Sequence, residues 1–269
     1  MPERPRSGRE RWRFASVATA ILMTALFVPH GWLGKETSAP AIPKDGPVDD
    51  REIVVLLHGL ARTPRSMRKL EKGLTGAGYR VENIGYPSTT RPIEELVEYL
   101  HERLLERCAS HGGKLHFVTH SMGGIVLRLY AATRSIPDIG RVVMLSPPNS
   151  GSELVDAWKK IPIARKGIGP SRGQLGTDPK SVPQTIGPVD FEVGVITGDR
   201  SLFPPFSWLI PGPDDGMVSV ERARVEGMVD FLIVPHTHTF IMNSCGVIDQ
   251  TKRFLREGSF KHDHDESLP

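Results

Sequence analysis

The stretch Phe117-Val118-Thr119-His120-Ser121-Met122-Gly123-Gly124 constrains the fold more than any other part of the chain. Upstream, Lys114-Leu115-His116-Phe117-Val118 has the apolar character of a buried strand, and downstream Ile125, Val126, Leu129 and Tyr130 recur at helical spacing. A strand that runs straight into a helix across a serine and small residues predicts a sharp, strained turn. The hydroxyl of Ser121 then stands above the sheet where a base can reach it, and the glycines let the helix start close to the strand. Ser121 is therefore the candidate nucleophile, and the backbone N–H of Met122, the next residue, is a candidate oxyanion donor. A serine among glycines with no such flanks marks an ordinary loop; the strand and helix give this one its chemical meaning.

At 269 residues and 39% hydrophobic, the chain is expected to bury one sizeable core in one domain. The formal net charge is only +3, and Arg4, Arg6, Arg9, Arg11 and Arg13 carry much of the positive charge ahead of the folded part, so no nucleic-acid surface is implied. The 2 cysteines, Cys108 and Cys245, lack metal-ligand spacing, and neither a disulfide framework nor a metal site follows. Cys108 continues a helix's apolar stripe and reads as a buried thiol.

Behind the arginines, Phe14 to Val28 is uncharged and mostly apolar, the pattern of an n-region followed by an h-region. The run is shorter than the ~20 residues that span a bilayer comfortably, but Pro29 to Gly34 adds uncharged length. Residues 1–34 are expected to be a signal peptide or an N-terminal signal anchor that attaches the protein to a membrane. Ala39-Pro40-Ala41 has the small-x-small form of a cleavage site yet lies far beyond the apolar run and contains proline, which favours the anchor. Either way the positive-inside bias exports the rest: membrane-anchored with the catalytic domain outside the cytoplasm, or secreted or periplasmic after cleavage. Residues 35–51, rich in Pro and small residues, read as a linker.

Glu52 to Leu57 then reads as a central strand ending in His58-Gly59-Leu60. Thr63-Pro64 opens a helix as N-cap and first residue, Val81 to Tyr86 is a strand, and Ile93, Leu96, Val97, Leu100, Leu104 and Leu105 trace an amphipathic helix. After the Ser121 helix come strands at Arg141–Ser146, Phe191–Gly198 and Phe231–Val234, and a last helix carrying Val247, Ile248, Phe254 and Leu255. Alternation of strand and helix predicts an α/β fold with a mostly parallel central sheet and helices on both faces. Residues 153–190 break the alternation with a short helical piece and a Gly/Pro-rich stretch, read as a small cap or pocket wall rather than a long hinged helix. The domain is expected over residues 52–257, and the charged stretch 258–269 as a disordered tail.

With its strand-turn-helix at Ser121 and its His-Gly turn after the first strand, the sequence resembles the α/β-hydrolase superfamily, its esterases and lipases in particular. The resemblance spans roughly Ile53 to Leu255. One position departs from the Gly-x-Ser-x-Gly pattern: Thr119 stands at the first glycine, where a β-branched side chain pushes the helix slightly away. The resemblance implies that the His-Gly turn positions a second oxyanion donor, the backbone N–H of Leu60. It implies chain order serine, acid, histidine. Within Gly212-Pro213-Asp214-Asp215-Gly216-Met217-Val218 the family's acid stands three residues before the valine, which selects Asp215 with Asp214 as the alternative. Within Pro235-His236-Thr237-His238-Thr239-Phe240 the family's base is followed by a small residue and an apolar segment, which fits His238, with His236 as the alternative. His120 is common at its family position and is expected to pack or hydrogen-bond locally.

The resemblance therefore implies a serine hydrolase that cleaves carboxylic esters through an acyl-serine intermediate, with no cofactor and no metal, on a small-molecule or lipid ester. The same triad serves a thioesterase, an amidase, an acyltransferase or a hydrolase that remodels membrane lipids, and the fold also has non-catalytic binding members. Short or medium acyl chains are the expected substrates, because the 153–190 stretch suits a fixed wall. The apolar segment Leu202 to Ile210 either lines the acyl pocket or packs its loop onto the core.

Overall fold

The computed structural model describes residues 51–108, 113–134, 136, 138–161 and 169–262. The expected signal segment and nearly all of the expected linker lie outside the described residues. Six strands form one sheet: β1 (Ile53–Leu57), β2 (Arg80–Ile84), β3 (Leu115–His120), β4 (Ile139–Leu145), β5 (Val193–Gly198) and β6 (Asp230–Val234). Their order is β2-β1-β3-β4-β5-β6, and every neighbouring pair is parallel. The central strands are apolar on both sides because both faces are covered: all of Ile53–Leu57 is buried, as is all of Val193–Gly198. The edge strands β2 and β6 are only partly buried.

Helices α1 (Arg68–Thr75), α2 (Ile93–Cys108), α3 (Met122–Thr133), α4 (Glu153–Lys159) and α5 (Cys245–Glu257) supply the layers. On one face Leu70 and Leu74 of α1 and Val247, Ile248 and Phe254 of α5 pack against Val54, Leu56, Val118, Leu145 and Ile196. On the other, Leu96 and Leu100 of α2 and Ile125 and Val126 of α3 pack against Val55, Leu57, Phe117, Met144 and Val195. These strand residues alternate one by one between the two clusters, as a pleated strand requires. Cys108 ends α2 buried, and the surrounding apolar atoms push its thiol up to about 11. Between Glu153 and Asp190 the described residues hold α4 and two single turns, Pro170–Gly173 and Val182–Thr185.

One local expectation is refined and another corrected. Thr63 and Pro64 do stand as N-cap and first residue, but of a 3₁₀ turn, Pro64–Met67, with no side-chain cap bond from Thr63, and α1 begins only at Arg68. The hydroxyl and N–H of Ser66 both bond the Thr63 carbonyl, which tightens this entry into a three-residue turn. The tail expected from 258 onward is also placed differently, since the chain stays ordered to His262 among the described residues. Gly258 takes φ 79°, the left-handed conformation that ends α5 and turns the chain back. Phe260 then buries to 1% exposure with its ring 4.9 Å from that of Phe254, and its N–H donates to Asp230 Oδ2. Gly194 on β5 makes the room, because a Cβ there would stand 2.5 Å from Phe254 and 2.6 Å from Phe260. A single Phe in a polar stretch has no periodicity to announce it.

Phe260→Ala is expected to lower stability by about 3–5 kcal/mol, the usual cost of emptying a buried phenylalanine site. Denaturant unfolding measures it, and a loss below about 1 kcal/mol would contradict this packing.

Candidate active site

The turn at Ser121 is strained as its sequence predicts. Ser121 has φ 53° and ψ −124°, a conformation that few non-glycine residues adopt. Its N–H is held by the Leu145 carbonyl at 2.9 Å, and its own carbonyl accepts from Gly124 N–H at 2.9 Å. Gly123 has no alternative: a Cβ there would lie 2.6 Å from the Leu57 carbonyl oxygen on β1. Thr119, at the departing position, is fully buried, and Gly124 absorbs its bulk, since a Cβ on Gly124 would meet Thr119 Oγ1 at 3.3 Å. The extra glycine after the motif thus offsets the missing one before it. Arg128 of α3 fixes the helix from behind, donating to the Asn149 and Gly187 carbonyls. Burial pushes its guanidinium down to about 10.

The parallel sheet delivers three side chains from distant loops to this hydroxyl. Ser121 Oγ is 2.9 Å from His238 Nε2, and His238 Nδ1 is 2.8 Å from Asp215 Oδ2. The carboxylate only accepts, so Nδ1 carries the ring proton and Nε2 is free to accept the serine hydroxyl. Asp215 is buried to 1% exposure, and its other oxygen accepts from the N–H groups of Met217 at 3.0 Å and Val218 at 2.8 Å. The Asp215 carbonyl also holds the His238 N–H at 2.9 Å.

The alternatives fall elsewhere. Asp214 points into its own loop, where Oδ1 accepts from Ser207 Oγ at 2.9 Å and Gly216 N–H at 2.7 Å, and burial pushes its carboxyl up. His236 engages through its backbone, accepting from Arg200 N–H at 3.2 Å and donating to the Val234 carbonyl at 2.7 Å. Among the described residues Asp214 makes no hydrogen bond to His238, and His236 makes none to Ser121.

The two backbone N–H groups named as oxyanion donors, those of Leu60 and Met122, have no acceptor among the described residues. Ala61 N–H bonds Ser88 Oγ at 3.1 Å, and Arg62 N–H bonds the Gly59 carbonyl at 3.2 Å. His58 and Tyr86 lock this turn, an arrangement with no sequence signal. Their rings stack at 4.2 Å, Tyr86 hydroxyl donates to the His58 carbonyl, and His58 Nδ1 bonds the Gly59 carbonyl at 2.9 Å. Burial lowers the His58 imidazole to about 4, so it is neutral there, and burial pushes the Tyr86 phenol far up. Ser88 also accepts Ser171 Oγ on its carbonyl at 2.6 Å, which joins the cap to the turn.

The segment Leu202 to Ile210 divides. Phe206 and Ile210 are buried, with Phe206 edge-on to Trp158 of α4 at 6.2 Å, while Leu202 and Trp208 are each 60% exposed. Among the described residues no cluster of three or more metal-ligating side chains occurs.

The family model described as the alpha/beta hydrolase family matches residues 54–239. No curated protein matches in sequence. In structure the chain is similar to phospholipase PlaB from Legionella pneumophila, at TM-score 0.63 and 15% identity over 78% of this chain and 60% of that one. It spans, therefore, less than two thirds of that phospholipase. It is also similar to the mature lipase BlEst2 of Bacillus licheniformis, at TM-score 0.56 and 18% identity over 75% of this chain and 91% of that one. A third likeness is to the metagenome-derived lipolytic enzymes LipS and LipT, at TM-score 0.55 and 17% identity over 78% of this chain and 95% of that one. At such identities these likenesses establish the fold.

Of the paired candidates, Asp215→Asn is expected to lower ester turnover by about 10⁴-fold, as when the amide holds the wrong histidine tautomer in a related triad. Asp214→Asn should change it less than about tenfold. Steady-state kinetics on the two folded variants checks the assignment, and the reverse ranking would exchange the roles.

Proposed function

The chain belongs to the alpha/beta hydrolase family, and on that premise we propose that it is a serine hydrolase that cleaves carboxylic esters through an acyl-Ser121 intermediate. The observation that carries this reading is the hydrogen-bonded line Ser121, His238, Asp215 beside two backbone N–H groups with no acceptor among the described residues. His238 Nε2 takes the hydroxyl proton as Ser121 Oγ attacks the ester carbonyl, and Asp215 stabilises the resulting imidazolium. Leu60 and Met122 N–H hold the tetrahedral oxyanion. Collapse expels the alcohol, which receives the proton from His238. Water, deprotonated by the same nitrogen, then releases the acid and restores the serine.

Lipolytic neighbours support an ester substrate, small-molecule or lipid, over the thioester, amide and acyl-transfer chemistries that the same triad serves. The described helices of the cap favour short or medium acyl chains, since Glu153–Lys159, Pro170–Gly173 and Val182–Thr185 are each too short for a hinged cover and suit a wall. A fluorophosphonate probe should label Ser121, and Ser121→Ala should abolish labelling and lower turnover by on the order of 10⁶-fold. A panel of esters and thioesters of graded acyl length measures the preference. Labelling that survives Ser121→Ala would move the nucleophile elsewhere.

We further propose that the apolar run Phe14 to Val28 carries the domain out of the cytoplasm and keeps it on the membrane. The protein should then stay with membranes after a high-salt wash, because screening weakens charge contacts and leaves apolar insertion intact. A soluble form beginning near Ile42 would establish cleavage instead.

A further inference from the structure

His120, beside Ser121, takes no step in the proposed chemistry, yet it lies between the two halves of the site. It is 2% exposed, and its ring centroid is 5.0 Å from that of His238. Its Nε2 is 3.0 Å from the backbone carbonyl of His238. A carbonyl only accepts, so Nε2 carries the proton and donates, and Nδ1 carries the lone pair. That second nitrogen has no hydrogen-bond partner and lies against Gly59, where a Cβ would approach it to 2.8 Å. Burial first, and then the neighbouring His238, hold the imidazole well below its ordinary value, so it stays neutral. With one nitrogen committed to a carbonyl and the other facing a glycine backbone, His120 is not placed to be a base.

Every polar group of His238 is thereby fixed. Its N–H goes to the Asp215 carbonyl, its two ring nitrogens to Asp215 and Ser121, and its carbonyl to His120. Of these four bonds, the one from His120 is the only one made by a residue outside the proposed triad. The opposite edge of the same ring seats the Gly59 turn, which ends in the Leu60 N–H.

We propose that His120 is a positioning residue: its Nε2–H anchors the loop that carries His238, while its other edge sets the close approach of the Gly59 turn. This rests on the reading of His238 as the base. The glycine of the His-Gly turn then has a local reason, since no side chain fits between that backbone and the His120 ring.

The test compares His120→Leu, which keeps bulk and loses the donor, with His120→Gln, whose amide reaches about as far as Nε2. His120→Leu is expected to lower kcat about 10- to 100-fold with KM within about twofold, the usual cost of a small misplacement of a reacting group. His120→Gln should recover to within about tenfold of the parent. An activity-independent readout is the downfield proton resonance of His238 Nδ1–H, assigned by its loss in Asp215→Asn; it should broaden or shift in His120→Leu and persist in His120→Gln. A folded His120→Leu with kcat within twofold of the parent, or equal losses in both variants, would overturn the proposal. Should the parent hydrolyse no ester at all, the reading of function fails, and the resonance alone decides: an unchanged signal in His120→Leu overturns the anchoring. If His120→Leu does not fold, His120→Asn, whose amide is too short to reach the carbonyl, takes its place under the same criteria.

Discussion

The site depends on one strained residue. Ser121 occupies a backbone conformation that costs on the order of 1–3 kcal/mol and persists only where the surroundings over-determine it. Here β4 holds its N–H, α3 receives its carbonyl, and the bare Cα of Gly123 lets that helix press against the β1 backbone. The strain is offset by the burial of Met122, Ile125, Val126 and Leu127 against the sheet. The same apolar contacts that fold the domain therefore present the hydroxyl.

Parallel strands make the rest of the geometry possible. Because each strand returns in the same direction, the loops after β1, β3, β5 and β6 all leave from the carboxyl edge of the sheet, and residues more than a hundred positions apart meet there. Asp215 is buried beside β5 with two backbone N–H donors on one oxygen and His238 on the other. A carboxylate so placed has its lone pairs satisfied without water, which suits it to hold one ring orientation. Asp214, adjacent in sequence, faces the opposite way and ties the Ser207 turn to the same loop. Two neighbouring carboxylates thus divide the work, one toward the histidine and one toward the loop that frames it.

The backbone of the proposed oxyanion turn is held with comparable care. Its carbonyls at His58 and Gly59 are occupied by Tyr86 and by the His58 ring, and the next N–H, that of Ala61, by Ser88. The Leu60 N–H in the same turn has no acceptor among the described residues. Burial keeps both His58 and Tyr86 in their neutral forms, so the clamp carries no charge of its own near a developing anion.

The sequence by itself determined the strand-helix alternation, the parallel sheet and the turn at Ser121, because each rests on local pattern: apolar runs for buried strands, helical spacing for α2 and α3, and glycine where a Cβ cannot fit. With the chain order that the resemblance implies, the acid narrowed to Asp214 or Asp215 and the base to His236 or His238. Choosing within those pairs by residues alone required the resemblance, since Asp214 and Asp215 differ in direction and not in chemistry, and only the fold of their loop turns one toward His238. The Tyr86 clamp on His58, the His120 bond to His238 and the seat of Phe260 against Phe254 left no local trace. Each joins residues from separate elements, or a lone aromatic in a polar stretch, and such contacts exist only after the sheet has brought the elements together.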